Sequence, residues 1–167
     1  MSLRKVHLFW VNNEGSALVE GAVVVPLLII FLSGVFEYSW LFYQQHLISI
    51  GLRDAVAYLA RLPDPCNPAS RTWLAAQEYA RKLATRGSTE GVAPRVRGWT
   101  AEMVKPHCTK VDNPVGANGL RKYRGSSVYV VTMSTEFNYQ PLGFFDLLRL
   151  RPPVISVSHS ERAIELR

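Results

Sequence analysis

Gly15-Ser16-Ala17-Leu18-Val19-Glu20, followed over residues 21–36 by GAVVVPLLIIFLSGVF, decides how this chain is organised. A short polar leader containing Arg4, Lys5 and His7 precedes it, and no charged side chain lies between Glu20 and Glu37. Tyr38, Trp40, Leu41, Phe42 and Tyr43 then extend the apolar run. A membrane-spanning helix needs about 20 largely apolar residues. Residues 17–43 meet that length, with Glu20 near one end, Glu37 near the other, and the aromatic cluster placed as an interfacial belt. Pro26 would break a helix in water but is tolerated as a kink in lipid. A carboxylate at the edge of such a span is costly and tends to be functional, which singles out Glu20 and then Glu37.

Flanking charge sets the orientation. Arg4 and Lys5 stand before the span, and the next basic residue after it is Arg53. The positive-inside rule therefore places the N-terminus in the cytoplasm and the C-terminal portion across the membrane. A cleaved secretory signal peptide fits poorly, because a carboxylate opens the apolar core and no A-x-A-like site follows. An uncleaved signal anchor is the stronger alternative.

The chain has 167 residues, enough for one modest globular domain beside a membrane segment. With 48% apolar and 19% charged residues, most of it is expected to fold. The formal charge of +6 is spread over Arg81, Lys82, Arg121, Lys122, Arg124, Arg149 and Arg151 as well as the leader. It forms no stripe interleaved with aromatics, so a solvated basic surface is expected rather than a nucleic-acid site. Cys66 and Cys108 are the two cysteines. In an exported domain they read as a disulfide, with free thiols as the alternative. No spacing of cysteine and histidine supports a zinc site, His107 beside Cys108 included.

Helical periodicity runs beyond the membrane segment through His46, Leu47, Ile50, Val56, Ala57 and Ala60 until Pro63 and Pro65 end it. A helix over residues 16–62 would be roughly 70 Å long, about twice a bilayer, so its second half must pack on a domain outside. A second helix is expected to start with Asn67 as N-cap and Pro68 in its first turn. Gly87 should stop it, and Trp73, Ala76, Ala80 and Leu83 should form its buried face. Short strands are expected over residues 92–99 and 102–105, and a loop over 113–126. Residues 127–137 alternate as a strand, with Tyr129, Val131, Met133 and Phe137 on one face and Thr132, Ser134 and Glu136 on the other. Residues 153–164 read as a last strand with Ile155 and Val157 inward, and 142–150 as a short helix or membrane-proximal loop.

Motifs for catalysis are not found: no GxSxG, P-loop, HExxH or dinucleotide fingerprint occurs. Gly116-Ala-Asn-Gly119 is turn chemistry. Ser158-His159-Ser160 reads as the surface face of a strand, with no third group indicated. Asp112, Glu136 and Glu161 would need the fold to bring them together before they could hold a metal. No enzyme, cofactor or metal is expected.

A glycine followed five residues later by a glutamate at the mouth of a membrane helix resembles the processing site of type IV prepilins and pseudopilins. More specifically, residues 16–28, then Gly34-Val-Phe-Glu37-Tyr38, then residues 53–60 (RDAVAYLA) together resemble the TadE-like family. Gly21 stands where the family usually has an aromatic residue, and Val56 where it has a glycine. The later cysteines and strands agree loosely. The resemblance implies an α+β protein, with a long N-terminal transmembrane helix continuing into a pilin-like domain that has a second helix and a small antiparallel sheet. Residues 1–15 would be a prepilin-type leader, 16–43 the transmembrane helix, 44–62 its continuation and 63–167 a periplasmic domain. It further implies a pseudopilin-like subunit of a tight-adherence (Flp) pilus in the bacterial inner membrane. A prepilin peptidase would cut between Gly15 and Ser16, and other pilins or pseudopilins and the assembly platform would be the partners. Glu20 would serve assembly, and Glu37 would either make a second polar contact with another component or simply sit in the interface. A signal-anchored binding module that is never processed is the competing function.

Overall fold

The computed structural model describes residues 14–63, 65–88, 90–91 and 93–163, with the side chains of Glu14 and Ser16 left aside. The leader residues Arg4, Lys5 and His7 lie outside this set. The chain is α+β. Helix α1 spans Glu14–Leu59 and α2 spans Arg71–Arg86. Strands β1 (Val104–Asp112), β2 (Ser127–Asn138) and β3 (Val154–Arg162) follow, with α3 (Phe144–Leu147) between the last two. The strands form an antiparallel sheet in the order β1-β2-β3.

The expected helix over 16–62 is present as one element of 46 residues, about 69 Å long at 1.5 Å per residue, with Pro26 inside it. It ends three residues early. The amides of Arg61 and Leu62 donate to the carbonyls of Tyr58 and Leu59, tightening the last turn before Pro63.

Two compact units divide the chain: Met1–Trp40 with Pro141–Leu150, and Leu41–Gln140 with Arg151–Arg167. In the first, every large apolar residue of α1 from Leu18 to Phe36 is 47–77% exposed, on all sides of the helix. A helix apolar all round needs an apolar surrounding, and α1 is long and apolar enough to cross a membrane. The hydroxyls of Ser33 and Ser39 donate to the carbonyls of Ile29 and Val35, at 2.8 and 2.7 Å. Such internal pairing is what a polar side chain in hydrocarbon requires.

The second unit has a conventional core. From Leu41 onward α1 is one-sided: Ile48, Leu52, Ala55, Val56 and Leu59 are fully buried, as is Ala60 just beyond its end. The centre of this stripe is Ile48 and Leu52, while Leu47 and Ile50 are half-buried at its margins. Trp73, Ala76, Ala80 and Ala84 of α2 are buried, with Ala84 taking the place expected of the half-buried Leu83. Gly51 permits the closest approach. A Cβ there would run into the carbonyl oxygen of Ala84 and sit 3.0 Å from the Trp99 ring. Trp99 Nε1 donates to Thr135 Oγ1 at 3.1 Å, and that hydroxyl donates to the Met103 carbonyl at 3.0 Å, so the polar atoms of these two buried side chains are paired. Asp54 on α1 holds Arg95 at 2.7 Å.

Three expectations are corrected. Ser70, not Asn67, caps α2, its hydroxyl accepting the Trp73 amide at 3.3 Å. Asn67 instead closes its own turn around Pro68, accepting the Ala69 amide through its side chain and the Ser70 amide through its carbonyl. No strand forms over 93–99. The Arg95 amide donates to Thr85 at the end of α2 and the Trp99 amide to Val96, so these backbone groups serve turns rather than a ladder. The strand expected over 102–105 begins instead at Val104, after a 3-10 turn at Ala101–Met103, and runs to Asp112. Pro106 is tolerated because β1 is an edge strand.

Other expectations hold. Gly87 ends α2 in the left-handed region, at φ 78°. On β2, Val131, Met133 and Phe137 are buried; on β3, Ile155 is buried and Val157 half-buried. Cys66 and Cys108 form a disulfide with Cα atoms 5.8 Å apart across 42 residues of sequence. In the chain-entropy description a loop of that length contributes about 4 kcal/mol. The bond also anchors Cys66 at φ 70°, a backbone conformation that non-glycine residues avoid.

The Gly51 contact yields a test. Alanine would gain up to about 1 kcal/mol in helix propensity, yet overpacking against a backbone carbonyl costs typically 1–3 kcal/mol. Gly51→Ala should therefore lower the denaturation midpoint followed by near-ultraviolet circular dichroism. An unchanged or raised midpoint would show that the two helices part freely there.

Candidate functional site: the two carboxylates of the apolar helix

Glu20 and Glu37 are separated by 17 residues of continuous helix, about 25 Å. The charge-free length between them is thus close to the roughly 30 Å hydrocarbon core of a bilayer. The two ends are built differently.

At the N-terminal end the Gly15–Ser16 bond lies in the first turn of α1, and Glu20 is exposed one turn beyond Ser16. An ideal Cβ on Gly15 meets no atom within 4 Å. Packing therefore does not demand glycine here, although glycine within a helix costs roughly 0.5–1 kcal/mol relative to alanine.

At the other end Glu37 is 1% exposed. Its Oε1 accepts the Leu142 amide at 2.9 Å and its Oε2 accepts the Phe144 amide at 3.1 Å. Both donors flank Gly143, whose φ of 126° is open to glycine and rarely to other residues. That conformation directs two neighbouring amides at one carboxylate. Gly143 provides no side-chain cap for α3, so Glu37 supplies it from α1. Tyr38 meets Phe145 edge-to-face with ring centroids 6.4 Å apart, and a Cβ on Gly34 would touch the Phe144 ring at 3.8 Å. Glu37, expected either to meet another component or to sit in the interface, is engaged within this chain as a clasp on residues 142–144. The sequence signal was Pro141-Leu142-Gly143 ahead of an apolar run, but nothing local links it to a glutamate 105 residues earlier.

The remaining candidates do not converge. Among the described residues no three or more histidine, cysteine, aspartate or glutamate side chains are grouped to hold a metal ion, and Asp112, Glu136 and Glu161 stay apart. Ser160 hydrogen-bonds to Thr132 across the sheet at 2.8 Å, and His159 pairs with Met133 in register.

These features define a protein with one long apolar N-terminal helix and a disulfide-closed α+β unit. The family model described as TadE-like protein matches residues 15–57, so this stretch of the chain is TadE-like. The match takes in Gly15, Glu20, Glu37 and Asp54, and it ends two residues before α1 does. No curated protein matches the chain, and no solved structure matches it.

Removing the Glu37 carboxylate leaves two amides without their partner. Each hydrogen bond to a charged group contributes about 1.5–3 kcal/mol. Glu37→Ala should therefore speed hydrogen exchange at Leu142 and Phe144 by roughly tenfold or more, with the β2 amides unaffected. Equal exchange in the two proteins would mean that the carboxylate does not hold this segment.

Proposed function

We propose that this chain is a pseudopilin-like subunit needed for assembly of a tight-adherence (Flp-type) pilus, and through it for surface attachment. The observation that carries the reading is the TadE-like match over residues 15–57. It falls on a helix whose first half is exposed and apolar on every side. The spare room at Gly15 supports recognition of that glycine by a peptidase rather than by the fold.

In this reading the protein sits in the bacterial inner membrane, its N-terminus cytoplasmic and its α+β domain periplasmic. Prepilin peptidase hydrolyses the Gly15–Ser16 bond and leaves a free ammonium on Ser16. Glu20 of one subunit then neutralises the Ser16 ammonium of its neighbour inside a bundle of such helices. A pair in that low-dielectric setting escapes the screening that weakens surface pairs. It also fixes axial register, because a mismatch by one turn leaves a charge buried without its partner, at a cost of about 3–5 kcal/mol. The role is assembly rather than catalysis. The partners are the peptidase, other pilins or pseudopilins, and the assembly platform.

Two variants test the two steps. Gly15→Leu should accumulate as full-length precursor in the membrane, read by intact mass, while wild type begins at Ser16. Wild-type protein that retains its leader beside an active peptidase would favour the unprocessed anchor instead. Glu20→Gln should be cleaved and remain in the membrane, since losing a charge eases insertion, yet adherence should be lost. Normal pili from Glu20→Gln would reduce the glutamate to part of the cleavage signal.

A further inference from the structure

Residues Pro141–Leu150 belong to the same compact unit as the apolar half of α1. Glu37 and Tyr38 hold them there through the contacts given above. Phe145 is buried by this packing, yet Leu142, Leu147, Leu148 and Leu150 are 45–75% exposed. Four exposed leucines in nine residues are far more than a water-facing connection needs. The segment ends in a tight turn: the Leu150 amide donates to the Phe145 carbonyl and the Arg149 amide to Asp146. Arg149 occupies the left-handed position of that turn, at φ 53°, where glycine is usual. An arginine kept at a site that prefers glycine is a choice of side chain over backbone comfort.

We infer that residues 142–150 are a second membrane-contacting element, inserted into the bilayer interface beside the outer end of the helical span. The occupant of the leucine face is lipid. Its continuity with the span argues for this. The holding residues Glu37 and Tyr38 lie where the span reaches its aromatic belt, and the Phe144 ring stands 3.8 Å from where a Cβ on Gly34 would be, about 4–5 Å further toward the hydrocarbon than Glu37. That depth suits an interfacial element, which buries its apolar face about 5–10 Å into the headgroup and acyl boundary. The clasp explains how a carboxylate is accommodated at this level: both of its oxygens accept amides from the inserted segment. Asp146 and Arg149 are the segment's only charges and offset each other. Its attachment is therefore apolar and should not depend on anionic lipid or on salt, while the Arg149 side chain reaches to the headgroups.

The inference rests on the reading of α1 as a membrane span, and the experiment separates the two. Full-length protein with its native disulfide intact is labelled with an environment-sensitive fluorophore at Leu147→Cys, or at Leu28→Cys in mid-span. It is then reconstituted into phosphatidylcholine vesicles, with and without phosphatidylglycerol, that carry lipid-attached quenchers at shallow or deep positions. The expected result is deep quenching at position 28 and shallow quenching at 147, the same in both lipids and at high salt. A Leu148→Cys probe should behave as the 147 probe does, which guards against a local effect of labelling. Quenching at 28 with water-like, unquenched emission at 147 and 148 overturns the inference and leaves the span intact. Unquenched but blue-shifted emission at 147, with energy transfer between labelled copies, also overturns it and assigns the leucines to a neighbouring subunit. Absence of quenching at 28 overturns the span and the inference together.

Discussion

One helix has to satisfy two solvents. From Leu18 to Phe36 the surface of α1 is apolar in every direction. From Leu41 onward it is apolar along one stripe only, centred on Ile48 and Leu52. The change occurs within about two turns, between Glu37 and Gln44, both of which are buried. Gln44 donates to the Gln140 carbonyl at 3.0 Å, and Glu37 accepts the amides of Leu142 and Phe144. Gln140 closes one compact unit, and Pro141 opens the segment assigned to the other. The β2–β3 connection is thus tied, in each unit separately, to the stretch of α1 where its surroundings change. Both ties include hydrogen bonds to the backbone. Each satisfies backbone groups of the connection that leaves the sheet at the end of β2, which would otherwise need another partner.

The same division explains what could be read from sequence. The long charge-free run, the alternation over residues 127–137 and the glycine that ends α2 each announce themselves locally, because a single principle governs each. At the start of α2 the single expected cap, Asn67, gave way to Ser70, which stands three residues before the buried Trp73 and accepts its amide. Lys105, His107 and Lys110 hide β1 from any hydrophobic pattern. The strand exists because its backbone pairs with β2 from Val104↔Thr135 to Asp112↔Ser127. The stretch 93–99 misleads in the opposite sense. Val96 and Trp99 are core residues delivered by a loop, which apolar content alone cannot distinguish from a strand.

For the candidate site, legibility followed distance along the chain. Gly15, Ser16 and Glu20 lie within two turns of one another, so their pattern survives in the sequence. The disulfide pairing was readable because two cysteines allow a single bond. The function of Glu37 was not, since its donors are backbone amides, which carry no letter in the sequence. Asp54 lies in the RDAVAYLA stretch, and its ion pair with Arg95 shows the structural use of that position.

The Cys66–Cys108 bond has a mechanical meaning as well as a thermodynamic one. A chain pulled from its two ends can lengthen only through residues outside a covalent loop. The 42-residue separation between the two cysteines withholds about 140 Å of contour from any such extension. The withheld stretch contains all of α2, the Trp99 turn and the first half of β1. Part of the core would therefore stay covalently bounded even after β2 and β3 had been drawn away, giving a stretched domain a short path back.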